Sequence, residues 1–253
     1  MLSELKRLFK ELWIVRRILS LPLFIKWLSG ATTCLDVLLK TRSLGSVDKI
    51  FGDSFNILWS DKKLHFSRLD FGVVREIYGH LCYAKKGQLR EAHHILDLGA
   101  NGGAFTIFAL VEAPHAQVYA VEAQSELVQV AKHNVHQNGY AERAIIECAV
   151  VGGFYDEWTK SLLKSNPKVK EFDIRQYIDS VGNCDFLKCD IEGAEFQLFT
   201  GDLTWTKFVK TIVLEFHPTK GDVDELEKIL KLQYFQVERV QHSNLGYFYC
   251  NRS

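Results

Sequence analysis

Several acids in this chain stand where strands should end and helices should begin. Asp97, Glu122, Asp190, Glu192 and Glu215 each follow an apolar run, and His217 comes just after the last of them. Carboxylates at neighbouring strand ends suit a ligand that carries hydroxyls and positive charge. The most telling stretch is Ile95-Leu96-Asp97-Leu98-Gly99-Ala100-Asn101-Gly102-Gly103. Its apolar start reads as a strand, its glycines as a sharp turn, and Ala104 to Leu110 as a buried helix. A helix that begins at such a turn presents free backbone N–H groups and the positive end of its dipole. Glycines there let backbone and ligand approach closely, where a Cβ would collide. About 20 residues further on, a second strand, Gln117 to Val121, ends in Glu122, an acid placed to accept hydrogen bonds from ribose hydroxyls.

A dinucleotide site would read G-x-G-x-x-G. Here the pattern is Asp97-x-Gly99-x-x-Gly102-Gly103, and its leading acid would sit badly beside two phosphates. S-adenosylmethionine fits: it carries an ammonium, a sulfonium and a ribose, and no phosphate. The residues expected to hold it are Asp97, Gly99, Ala100, Asn101, Gly102 and Gly103 in the loop, Glu122 and Ala123 at the second strand end, Cys148 and Ala149 on the third strand beside the adenine, and Asp190. The plainer alternative is a glycine turn in an ordinary α/β protein, with Asp97 capping the helix.

The elements that position these groups follow in order from His94. Strand and helix alternate through Gln117–Glu122, a helix from Ser125 to about Asn138, and the strand Ala144–Val150. After a polar excursion over 154–170 come a short helix at Ile174–Ile178, the strand Asp185–Asp190, the strand Thr211–Pro218 and a helix over Asp222–Lys231. Gln236–Val240 and Gly246–Cys250 close the chain, joined by a turn at His242-Ser243-Asn244-Leu245. The expected fold is α/β: a Rossmann-like, doubly wound sheet, mostly parallel, with one antiparallel edge strand. The expected division is a helical and mixed cap over 1–90 and a cofactor domain over 91–253.

Composition narrows the functional classes. The chain has 253 residues, 47% of them hydrophobic and 25% charged, with 31 basic and 31 acidic residues. A neutral chain has no electrostatic footprint for nucleic acid, so none is expected as partner. Its six cysteines are scattered with no C-x-x-C pair, which favours reduced thiols in the cytoplasm over disulfides or zinc. His133 and His136 share a helix face, but with no third ligand at a fixed spacing they read as solvated.

Residues 1–30 stand apart. Leu2, Leu5, Leu8, Phe9, Leu12, Trp13, Val15, Ile18 and Leu19 recur at helical spacing among Lys6, Arg7, Lys10, Arg16, Arg17 and Lys26. The uncharged run Ile18–Ile25 is far short of the ~20 residues that span a bilayer, and it lacks the features of a secretory signal. Two readings remain: a helix resting on an anionic membrane, or one packed over the cofactor domain as a lid or dimer element.

The stretch from Ile95 to Gly103, then Val121-Glu122, then Asp185-Phe186-Leu187-Lys188-Cys189-Asp190-Ile191-Glu192-Gly193-Ala194-Glu195, then Leu214-Glu215-Phe216-His217-Pro218, resembles the FkbM family of S-adenosylmethionine-dependent methyltransferases. The resemblance spans about 94–220, and its most specific piece is the run from Leu187 to Glu195. It implies a seven-stranded class I methyltransferase fold and O-methylation of a hydroxyl on a sugar, glycolipid or polyketide-like molecule. The family has a proline after the second-strand acid, where this chain has Ala123-Gln124.

Methyl transfer needs an acceptor oxygen held in line with the methyl and a group to take its proton. Asp190, Glu192 and His217 are the candidates. Histidine has the unperturbed pKa of a base near neutrality; Glu192 could instead serve the helix dipole, and Glu215 a buried hydrogen bond. Asp190, Glu192 and Glu215 could converge on magnesium, but sequence cannot show convergence, and no metal is assigned. The rivals are a binding protein that keeps the fold without turnover and a nicotinamide-dependent oxidoreductase, which the loop spacing disfavours.

Overall fold

The computed structural model describes residues 2–34, 40, 44–153, 157–166, 169–242 and 244–252. The strands are β1 (Ser54–Trp59), β2 (Lys62–Ser67), β3 (His94–Leu98), β4 (Gln117–Glu122), β5 (Ala144–Val150), β6 (Lys170–Glu171), β7 (Cys184–Cys189), β8 (Val209–Phe216), β9 (Phe235–Gln241) and β10 (Gly246–Arg252). The main sheet runs β6-β5-β4-β3-β7-β8-β10-β9. β10 runs against the rest of the sheet, antiparallel to both β8 and β9, and the other pairings are parallel.

Two details differ from the expected sheet. The two-residue β6 adds an eighth strand beyond β5. The reversed strand lies one place in from the edge, between β8 and β9. Burial explains the order: in β10 Tyr247, Phe248 and Cys250 are buried, whereas in β9 only Phe235 is. The less buried strand takes the edge. Of the turn between them, Ser243 lies outside the described residues, as do 154–156 and 167–168 of the polar excursion.

The strand order places the site. β3 is flanked by β4 and β7, so the carboxyl ends of all three, and of β8 beside β7, lie side by side. In such a sheet ligands bind beyond these ends, where the strand order reverses. The helices Ala104–Glu112 and Ser125–Gln137 follow β3 and β4. The first is buried along nearly its whole length, as its unbroken apolar run requires.

Residues 1–90 do not stand off from the sheet. Their buried side chains, among them Val15, Trp27, Phe55, Phe66 and Tyr78, form one continuous core with Ile95, Phe105 and Phe108. The β1–β2 hairpin turns through Ser60 and Asp61, both at positive φ. Buried Glu112 ties it down, accepting from Trp59 Nε1 at 2.8 Å, Ser60 Oγ at 2.9 Å and the Gly87 N–H at 2.6 Å. The N-terminal stretch forms two helices, α1 (Leu2–Ile18) and α2 (Leu21–Thr33), with Pro22 in the first turn of α2. None of the described helices is long and apolar enough to cross a membrane.

Candidate functional site

The glycine loop is pinned from both sides. The N–H groups of Gly99 and Ala100 both donate to the Val121 carbonyl of β4, at 2.9 and 3.0 Å. On the other side the Asp190 N–H donates to the Leu98 carbonyl at 3.0 Å. Gly99 has φ +77, and a Cβ there would lie 1.7 Å from the Asp190 carbonyl oxygen. Only glycine lets the loop pass so close to the end of β7.

Asp97 departs from expectation. It was expected to meet a ligand's positive charge, but its side chain is fully buried beneath the loop. Thr106 Oγ1 donates to it at 2.7 Å, and Lys188 Nζ lies 3.2 Å away. Burial alone would depress Lys188, but the carboxylates of Asp97 and Asp190 outweigh it and hold the lysine charged, above its ordinary value. Its ammonium also donates to the carbonyls of Leu98 and Gly99, at 3.3 and 2.5 Å. Asp97 and Lys188 thus brace the loop from within, and neither faces the cleft.

Glu122 stands where the ribose contact was expected. One carboxylate oxygen accepts from the Asn101 N–H and the other from the Gln124 N–H, both at 2.9 Å. This locks the β4 end to the loop. Cys148 pairs with Glu122 across β4 and β5, and its thiol lies 3.6 Å from the Ala123 carbonyl. The fold therefore brings together Gly99–Gly103, Glu122, Ala123 and Cys148; Ala149, next along β5, is buried.

Across the loop, the ends of β7 and β8 gather a second group. Asp190, Glu192 and His217 each offer a ligand atom within 4.8 Å of the others. Glu192 is 81% exposed at its side chain and has a positive φ of 55°, in the turn ahead of the short helix Glu195–Leu198. The acid in that helix is Glu195, fully buried, which accepts from the Gly193 N–H at 2.7 Å and the His217 N–H at 2.9 Å. The same carboxylate lies 3.1 Å from His217 Nδ1, which turns Nε2 towards Glu192, 3.4 Å away, and Glu215, 4.0 Å away.

These neighbours raise the pKa values of both His217 and Glu215. The Glu195 hydrogen bond, with the charges of Glu195, Glu192 and Asp190, raises His217 to about 9 despite partial burial. The raised value favours the imidazolium, a donor and a positive charge among carboxylates. Glu215 is raised as well. Burial and the charge of Asp190 push it up to about 7, the range of a group that exchanges protons near neutrality.

One member comes from outside the cofactor fold. The Tyr83 hydroxyl stands 2.8 Å from Asp190 Oδ2 and 2.8 Å from Glu215 Oε2. Its ring packs edge-on against Phe105 and Tyr247, and Lys188 Nζ lies 5.2 Å above its face. Burial, then the charge of Asp190, lifts its pKa well above that of a free phenol, so it keeps its proton.

A methyltransferase FkbM domain model matches residues 97–249. The chain belongs to the FkbM methyltransferase family. This is a family of S-adenosylmethionine-dependent enzymes. Its cofactor is cationic, and the strand ends carry more carboxylates than cations, so the residues present fit it. The 31-O-demethyl-FK506 methyltransferase FkbM of Streptomyces tacrolimicus is 23% identical over 216 residues, covering 65% of this chain and 81% of that protein. Among solved structures, an O-methyltransferase family protein from Burkholderia thailandensis is 10% identical with a TM-score of 0.47, covering 74% of this chain and 57% of its own. TrmK of M. capricolum, in complex with S-adenosyl-homocysteine, is 11% identical with a TM-score of 0.41, covering 63% and 62%. The chain thus spans less than two thirds of both structures.

Sequence reasoning assigned no role to Lys188, Glu195 or Tyr83. Lys188 left a signal: a lone charge in the apolar run Phe186-Leu187-Lys188-Cys189 needs a buried partner. Tyr83 left none, since 107 positions separate it from Asp190.

Proposed function

We propose that this chain transfers a methyl group from S-adenosylmethionine to a hydroxyl of a small molecule: a sugar, a glycolipid or a polyketide-like compound. The bound cofactor supplies the methyl carbon and the sulfonium leaving group. The protein must orient the acceptor and dispose of one proton.

The observation that carries this reading is the line of Asp190, Tyr83 and Glu215, joined by contacts of 2.8 Å. A phenol has one hydrogen to donate, yet Tyr83 faces two carboxylate oxygens. The line is therefore complete only with a second proton, and Glu215 is the member poised to take it. In our reading, the acceptor O–H gives its proton to Asp190 as the oxygen bonds to carbon. Asp190 passes a proton to the Tyr83 oxygen, and Tyr83 gives its own hydrogen to Glu215. Asp190 is again a carboxylate, Tyr83 again a phenol, and Glu215 holds the proton until solvent takes it. His217, as imidazolium beside Asp190 and Glu192, would orient the acceptor by donating from Nε2.

Purified protein incubated with isotope-labelled methyl donor and a small-molecule extract tests this. Label in a small molecule as an O-methyl ether supports it. Label on nitrogen, sulfur or carbon, or transfer only to protein or nucleic acid, overturns it. Absence of turnover despite tight cofactor binding would favour the non-catalytic alternative.

A further inference from the structure

The outer faces of α1 and α2 have no role in the site described above. Val15, Ile18 and Leu19 are buried on the inner side of α1 and its end, and Trp27 and Gly30 on that of α2. Trp27 Nε1 donates to buried Asp48, which also pairs with Arg75. The opposite faces leave large apolar side chains in water. Phe9 is 68% exposed, Trp13 60%, Leu21 55% and Ile25 57%. Phe9 and Trp13 lie one turn apart on α1, and Leu21 and Ile25 one turn apart on α2.

Charge says what such a face fits. Lys6, Lys10, Arg16, Arg17 and Lys26 are all exposed on the same two helices. At 100° per residue, Lys6, Lys10 and Arg17 flank Phe9 and Trp13 on one side and Arg16 on the other. The Arg17 guanidinium stacks 4.5 Å from the Trp13 ring. Glu11 is turned inward, bound to Arg75 at 2.9 Å and His80 at 3.1 Å, so it does not cancel these charges outside. Aromatic side chains ringed by cations suit the headgroup layer of an anionic bilayer, where rings enter the interface and ammonium and guanidinium groups meet lipid phosphates. A symmetric contact between two copies would instead press these cations against each other.

We propose that α1 and α2 rest with these faces on an anionic membrane surface, through Phe9, Trp13, Leu21 and Ile25 and the lysines and arginines that flank Phe9 and Trp13 on α1. The chain would lie on the bilayer without crossing it. This contact stands independently of the methyl acceptor's identity.

Flotation of the full chain with mixed phosphatidylcholine–phosphatidylserine vesicles, against phosphatidylcholine alone, tests the proposal. The protein should float with the mixed vesicles only and be released by high salt. Charge removal by Lys6→Gln and Lys10→Gln should weaken binding roughly fivefold each. The Phe9→Ser/Trp13→Ser double variant should lose binding with an unchanged melting curve, since both side chains are exposed. Failure of the wild type to float with anionic vesicles overturns the proposal, as does undiminished flotation of the double variant. A wild type that sedimentation shows to be dimeric, made monomeric by the same pair of substitutions, also overturns it and assigns the face to a second copy.

Discussion

The Tyr83 hydroxyl and the Glu215 carboxylate meet at 2.8 Å although 132 positions separate them in the chain. One comes from the N-terminal region and the other from the end of β8. Their contact brings a side chain of the N-terminal region to the end of β8. It also leaves a buried carboxylate titrating near neutrality beside a neutral phenol.

The rate should follow that titration. Glu215 accepts the proton only when ionised, so kcat should rise with pH through about 7. Glu215→Gln should remove the rising limb and lower kcat roughly 10²–10⁴-fold. Tyr83→Phe cuts the route between Asp190 and Glu215, so it should lower kcat and remove the same limb. A tyrosine that only hydrogen-bonds Glu215 would leave the limb in place, moved to higher pH by the lost bond. A pH–rate profile for the three proteins decides between these.

Stability should respond to His217 with the opposite sense. Its folded-state pKa is raised from 6.5 to about 9, chiefly by Glu195, so the folded state binds the proton more tightly than the unfolded chain. The resulting stabilisation is fully present below about 6.5 and is lost as pH rises through about 9. The raised pKa of Glu215 makes stability fall between about 4.5 and 7, and its cost is then constant at higher pH, so the fall towards 9 belongs to His217. Urea midpoints measured across that window should fall in the wild type and stay nearly level in His217→Gln.

Lys188 and Asp97 should behave as one unit. Lys188→Met leaves Asp97 charged, buried and facing only Thr106, which should destabilise the fold by about 3–5 kcal/mol. Adding Asp97→Asn removes the stranded charge. The double variant should thus be more stable than Lys188→Met alone, an interaction that a double-mutant cycle by chemical denaturation measures directly.

How much of this could be read from the sequence depended on locality. Strand ends announce themselves because an apolar run stops at a polar residue and a glycine turn follows. Asp97, Gly99, Glu122, Asp190 and His217 stand out that way, and the structure brings the ends of their strands together. What those groups do there depends on neighbours that periodicity cannot see. Asp97 faces inward because Lys188, on the adjacent strand, needs a counter-charge. His217 has a raised pKa because Glu195 reaches back under it. Tyr83 enters the site through packing against Phe105 and Tyr247, which leaves no local pattern. The reversed strand was legible as a strand, but its place inside β9 was decided by which of the two is more apolar.

We propose that the cofactor nucleoside is held at the ends of β3 and β4, with Glu122 on its ribose. Titration calorimetry with S-adenosylhomocysteine, on the wild type and on Glu122→Ala, reads this binding. The wild type should show one saturable site, weakened at least tenfold by the substitution, and no heat from NADH. Tight binding of NADH with no heat from S-adenosylhomocysteine would rule the cofactor assignment out.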